Sequence, residues 1–152
     1  MSIEIKRYTK ECIGDVLDFE RRLRQEEDFW GWEIDAAYVD AVTRSFTDPR
    51  FESSVSLLAY SDGKVVGRID STLIPSHFDG SVKAYLDWIC VIKSARHHGV
   101  AQALLSALKT ELKSVGADTL IALTASNEEA QRFYKSIPNS EMRDIGIWID
   151  IK

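Results

Sequence analysis

The chain has 152 residues, 45% of them hydrophobic, and a formal net charge of -5. That length suits one globular domain with a core that needs no covalent staple, and the acidic balance excludes nucleic acid as the main partner, since phosphate binding needs a basic face. No apolar run approaches membrane-spanning length and the polar start over 1–10 lacks a signal peptide's hydrophobic stretch, so a soluble cytoplasmic protein with no membrane partner is expected.

Cys12 and Cys90 lie far apart, and Cys90 sits inside an apolar run, so both read as buried thiols rather than a disulfide framework. Charge is unevenly spread. Residues 10–40 carry ten acids against four bases, whereas 92–113 carry four bases against one acid. One chain therefore offers an anionic and a cationic region.

Taken in order, residues 2–8 alternate as a first strand, and Ile13, Val16, Leu17, Phe19, Glu20 and Leu23 fall at helical spacing. After a break at 26–33, Ile34 or Asp35 opens a second helix that Asp48-Pro49 ends. Residues 53–60 and 65–74 read as strands joined by the hairpin turn Ser61-Asp62-Gly63-Lys64, and 82–92 is a continuous apolar run expected of a central strand. The stripe Ala101, Leu104, Leu105, Leu108, Leu112, Val115 predicts an amphipathic helix stopped by Gly116, and 119–124 a short strand that must pair parallel with 82–92. Ser126 to Glu129 has the form of a capping box opening a helix through Phe133 and Tyr134 that Pro138 closes; Ile145, Ile147, Ile149 and Ile151 alternate as a last strand. The order β-α-α-β-β-β-α-β-α-β defines an α/β fold with a mixed sheet, antiparallel first and parallel at the end, flanked by about four helices.

The segment Arg96-His97-His98-Gly99-Val100-Ala101 joins the central strand to the amphipathic helix. A helix N-terminus presents unpaired N–H groups and the positive end of the macrodipole, so the segment is an anion-binding turn, in which Gly99 lets the backbone approach a ligand and Arg96, His97 and His98 add donors. Neither a P-loop nor a Gly-x-Gly-x-x-Gly after a strand is present. Adjacent His97 and His98 cannot share a face, and His77 is the only other histidine, so no zinc set exists and no metal is expected.

Arg-x-x-Gly-x-Ala after a hydrophobic strand resembles the Gln/Arg-x-x-Gly-x-Gly/Ala signature of the GNAT superfamily of N-acetyltransferases. Asn127, Ala130 and Tyr134 match its downstream Asn-x-x-Ala-x-x-Φ-Tyr pattern, with Phe133 as Φ, and the element order follows the family over nearly the whole chain. The resemblance implies a single N-acetyltransferase domain over 1–152 that uses acetyl-CoA as co-substrate. It implies that main-chain groups around Ile89, Cys90 and Val91 bind the pantetheine arm and polarise the acetyl carbonyl. Arg96 to Ala101, Val100 included, would hold the pyrophosphate; Asn127 would contact the pantetheine; Tyr134 would protonate the leaving thiolate.

Asp87 is a candidate base for the attacking amine: four residues before Val91, it shares that residue's face in a regular strand, a parity that a β-bulge would change. Water-relayed deprotonation would need no such base. The acceptor site of the family lies beside the connection between the first two helices, here containing Glu26, Glu27, Asp28, Trp30 and Trp32, whose carboxylates and aromatics suit a small cationic amine of aminoglycoside-like or polyamine type. A peptide or protein amine, a different acyl donor, and an acyl-CoA sensor without catalysis are the alternatives. The chain lacks the Leu-Gly-Phe turn many members place after the tyrosine, and the shortened end suggests completion by a second subunit in a homodimer.

Overall fold

In the computed structural model, which describes residues 1–27 and 32–151, five strands follow in the spatial order β1-β2-β3-β4-β5. They are β1 (Glu4–Arg7), β2 (Ser54–Ser61), β3 (Lys64–Pro75), β4 (Val82–Val91) and β5 (Thr119–Ala122). The first four pair antiparallel and β5 joins β4 in parallel. Between β2 and β3 the turn holds Asp62 and Gly63 at φ 50° and 74°, the paired left-handed geometry whose twist matches the strands it joins.

Helix α1 (Ile13–Glu26) and α3 (Val100–Ser114) bury opposite layers of the core. The α3 stripe was legible: Val100, Leu104, Leu105, Leu108 and Leu112 are all buried. Gly67 on β3 lets this helix come close. A Cβ there would stand 2.9 Å from Val100 Cγ1 and 3.1 Å from Leu104 Cδ1. On α1 the buried positions are Val16, Leu17, Phe19 and Leu23, with one charged residue among them, Glu20, only 1% exposed. Helix α2 (Ala36–Ser45) starts at Asp35, whose side chain accepts from Tyr38 N at 2.8 Å.

The chain divides into two compact units, Met1–Ile121 and Ala122–Lys152. The second contains α4 (Glu128–Lys135), and two expectations there are corrected. Its cap is Asn127, which accepts from Ala130 N at 2.9 Å, rather than Ser126; Asn at this position bonds the third helical N–H as well as serine does. The alternating isoleucines form no strand: residues 140–151 make no ladder, and Ile145, Ile147, Ile149 and Ile151 are 74–98% exposed. Period-2 alternation encodes a fit to a pleated surface but supplies no neighbouring edge to pair with. Both cysteines are free thiols, and among the described residues no helix is long and apolar enough to cross a membrane.

Candidate active site

Between β4 and α3 the backbone leaves its donors uncovered. His97 and Gly99 both hold positive φ, 63° and 79°, and the first helix N–H to find a backbone acceptor is that of Ala103, donating to Gly99 O at 2.9 Å. Among the described residues the N–H groups from His97 to Gln102 have no backbone acceptor. Successive N–H groups curled in this way form a concave anion nest at the positive end of a 15-residue helix. Glycine at 99 serves the φ rather than the space, since a Cβ would meet nothing within 4 Å. The side chain of Val100 packs inward, leaving its N–H as its contribution; His97 and His98 are exposed, with His98 Nδ1 2.7 Å from Arg96 O.

The C-terminal end of α1 braces this turn. Glu26 accepts from Ser94 N at 2.8 Å and from Ser94 Oγ at 2.9 Å. Glu27 is ion-paired with Arg96, which also donates from Nε to Val91 O at 3.1 Å. Glu26 and Glu27, expected at the acceptor, are thus paired with Ser94 and Arg96 of the turn before α3, and Arg96 ties that turn to β4.

The strand register explains how β4 can serve a ligand with its main chain. Ile92 N donates to Val66 O at 3.0 Å, which makes Gly67 and Val91 a non-hydrogen-bonded pair, and Ile69 with Ile89 has the same parity. The N–H and C=O of Ile89 and Val91 therefore face the other edge, toward β5. That strand meets β4 near Val82, where Asp118 N donates to Val82 O at 3.4 Å. Of the outward groups, the Val91 carbonyl accepts from Arg96 Nε.

On the opposite face a β-bulge interrupts β4. Asp70 lies across from Trp88 and Ser71 across from Leu86, leaving Asp87 as the extra residue. The bulge breaks the parity expected for Asp87 and Val91, and turns Asp87 with Trp88 toward a cleft of about 860 Å³ between the sheet, α1 and α2. Among the acceptor residues expected from sequence, Trp32 lines this cleft, its ring centroid 5.9 Å from that of Trp88 and 6.2 Å from that of Tyr38. Asp28 and Trp30 lie outside the described residues.

The floor of the cleft is a polar network that sequence reasoning missed. Arg68 grips Asp70 with two hydrogen bonds, 2.6 and 3.1 Å, and reaches Glu20 at 3.2 Å. Tyr38 donates to the Glu20 carboxylate, 2.8 and 2.9 Å from its two oxygens. The guanidinium also lies between the Tyr8 and Trp88 rings, 4.9 and 5.5 Å from their centroids. Burial raises the Glu20 carboxyl above its usual range against the pull of Tyr38 and Arg68, and burial with the Glu20 contact pushes the Tyr38 phenol up to about 12. Two signals were available: an acid at a stripe position beside Phe19, and charges two apart on a central strand.

In the second unit, Tyr134 stands near the end of α4, half-buried, its ring 5.4 Å from that of Phe133. Asn127 is exposed, and its carbonyl oxygen serves the helix cap.

A model of the acetyltransferase (GNAT) family matches residues 15–137. The chain belongs to the GNAT acetyltransferase family, whose members take acetyl-CoA as co-substrate. It is therefore an acetyl-CoA-dependent N-acetyltransferase. A search of curated proteins found no match. Solved structures share the fold at low identity. An aminoglycoside acetyltransferase, meta-AAC0020, from an uncultured soil metagenomic sample, in complex with trehalose, superposes with a TM-score of 0.81 at 15% identity, covering 99% of this chain and 97% of that one. AAC(6')-Iy with a bisubstrate analogue, CoA-S-monomethyl-acetylneamine, gives 0.77 at 18%, covering 99% of each chain. Ribosomal-protein-alanine N-acetyltransferase from Brucella melitensis biovar Abortus 2308 gives 0.75 at 16%, again covering 99% of each.

Proposed function

We propose that the enzyme acetylates a primary amine of a small cationic compound, aminoglycoside-like or polyamine in type, by direct attack within a ternary complex. The observation that supports this reading is the cleft behind β4: it has room for a small molecule, and along its wall Glu20, Asp48, Glu52, Asp70 and Asp87 outnumber Arg7 and Arg68. In this reading the pyrophosphate of acetyl-CoA rests on the N–H groups of 97–102, and the outward main chain of Ile89 and Val91 takes the pantetheine and polarises the carbonyl. Asp87, carried into the cleft by the bulge, accepts the proton of the ammonium, directly or through a water. The neutral amine attacks the carbonyl carbon, the carbon–sulfur bond breaks, and Tyr134 returns a proton to the thiolate.

The test is thiol release from acetyl-CoA over a panel of amines. Turnover on small di- and polycationic amines, with Asp87→Asn lowering kcat about 100-fold and Tyr134→Phe also lowering it, is the expected result. Binding of acetyl-CoA without turnover on any amine would identify an acyl-CoA sensor instead. Turnover confined to a peptide N-terminus would move the acceptor to protein.

A further inference from the structure

The polar floor of the cleft carries more negative than positive charge at a depth where charge is costly. Glu20 is 1% exposed, and the side chains of Arg68 and Asp70 are each 15% exposed. Two carboxylates share one guanidinium, so the directly paired network holds a surplus negative charge. Arg24, one turn along α1, donates to the main-chain oxygens of Glu20 and Trp32 and stacks on the Trp32 ring. A second observation points the same way. Tyr8 is 8% exposed on the wall of this cleft, and among the described residues its buried hydroxyl has no hydrogen-bond partner. A buried phenol without a partner is uncommon and normally finds one when a ligand or water arrives. Burial raises its pKa, so it stays a neutral hydroxyl with lone pairs to offer.

From these observations, and resting on the acetyl-transfer reading above, we infer that Glu20, Asp70 and Tyr8 form a subsite for a second cationic group of the acceptor, separate from the amine that is acetylated. Asp70 sits directly across the sheet from Trp88, and Asp87 is the next residue. A strand spacing of about 4.8 Å and a rise of about 3.3 Å per residue separate the two carboxylate-bearing positions by about 6 Å, so the spare ammonium and the reacting amine would be joined by a chain of roughly four carbons. The ammonium N–H groups supply the donor that the Tyr8 oxygen lacks and its charge offsets the surplus of the carboxylates, while the Trp32 and Trp88 rings flank the chain between. The enzyme is thereby selective for diamines over monoamines of equal length.

The experiment compares kcat/KM for 1,4-diaminobutane and for butylamine on the full-length enzyme, in wild type, Tyr8→Phe and Asp70→Asn. A ratio of specificity constants is unaffected by any loss of folded protein, because both substrates meet the same enzyme population. Tyr8→Phe keeps the ring on which Arg68 stacks and removes only the oxygen. The expected result is a wild-type preference for the diamine of at least tenfold, which falls by about tenfold in each variant. A ratio near one in the wild type, or one that neither variant changes, overturns the subsite while leaving amine acetylation standing. Acetylation of neither amine, with a peptide N-terminus or no amine at all accepted, overturns the transfer reading and this subsite together.

Discussion

At the scale of single residues, the structure redistributes the acids that the sequence groups together. Glu26 and Glu27 sit in a run of carboxylates ahead of Trp32, and from sequence that run is one acceptor patch. Folded, each has a separate donor in the turn before α3, Ser94 and Arg96, where the cofactor is proposed to bind. Glu26→Ala is therefore expected to raise the KM for acetyl-CoA a few-fold and to leave that of the acceptor unchanged; steady-state kinetics with each substrate varied in turn checks it. Glu20, the α1 acid that lines the cleft, is 48 residues from its partner Arg68, and sequence spacing cannot show such a pairing. Its raised carboxyl has a thermodynamic sign. A group that holds its proton more tightly when folded supports the fold below its unfolded value of 4.5 and loses that support as pH rises through the raised one. Relative to the wild type, Glu20→Gln should gain stability as pH rises from about 4 to about 7.5, read by urea unfolding at both ends. The cysteines differ as well. Burial pushes the Cys90 thiol up to about 12, whereas at Cys12 the hydrogen bonds of Thr9 and Tyr60 outweigh partial burial and lower it. At pH near 8 a thiol reagent should label Cys12 well before Cys90, as mass spectrometry of the modified peptides would show.

Among the elements, those that carry their own repeat were the most legible. The α3 stripe, the Asp62-Gly63 hairpin and the long central strand each have a periodicity or a turn that local chemistry determines. What escaped were features set by the neighbour. A bulge at Asp87 depends on how β3 and β4 align across their whole length, and nothing in Leu86-Asp87-Trp88 announces it. The terminal isoleucines have the right alternation and no ladder to join. Close packing of α3 against β3 makes a sharp prediction. Gly67→Ala places a methyl group 2.9 Å from Val100 and 3.3 Å from Cys90 O, an overpacking expected to cost about 1–3 kcal/mol in denaturant unfolding. Because Val100 starts the helix whose N–H groups form the anion nest, acetyl-CoA should also bind more weakly.

For the molecule as a whole, the family and the element order as far as α4 could be read from the sequence, but the net charge of -5 hid how its surplus is arranged. Acids outnumber bases along the wall of the cleft, and bases gather after β4. Diffusional capture of a cation should therefore weaken as salt rises. From about 20 mM to about 500 mM salt, kcat/KM for a dicationic acceptor should fall several-fold, more steeply than for a monoamine, as stopped-time assays at fixed acetyl-CoA would report. With the donor on the turn before α3 and the acceptor in the cleft, as proposed, helix α1 bears on both substrates at once. Its Glu20 anchors the acceptor floor and its Glu26 holds the donor turn, six residues or about 9 Å further along one rigid rod. A single inserted residue would rotate one carboxylate by about 100° against the other and break one of the two attachments. On that proposal the helix acts as a gauge block between donor and acceptor: side chains along it are free to vary with the amine, but the number of residues between 20 and 26 is not.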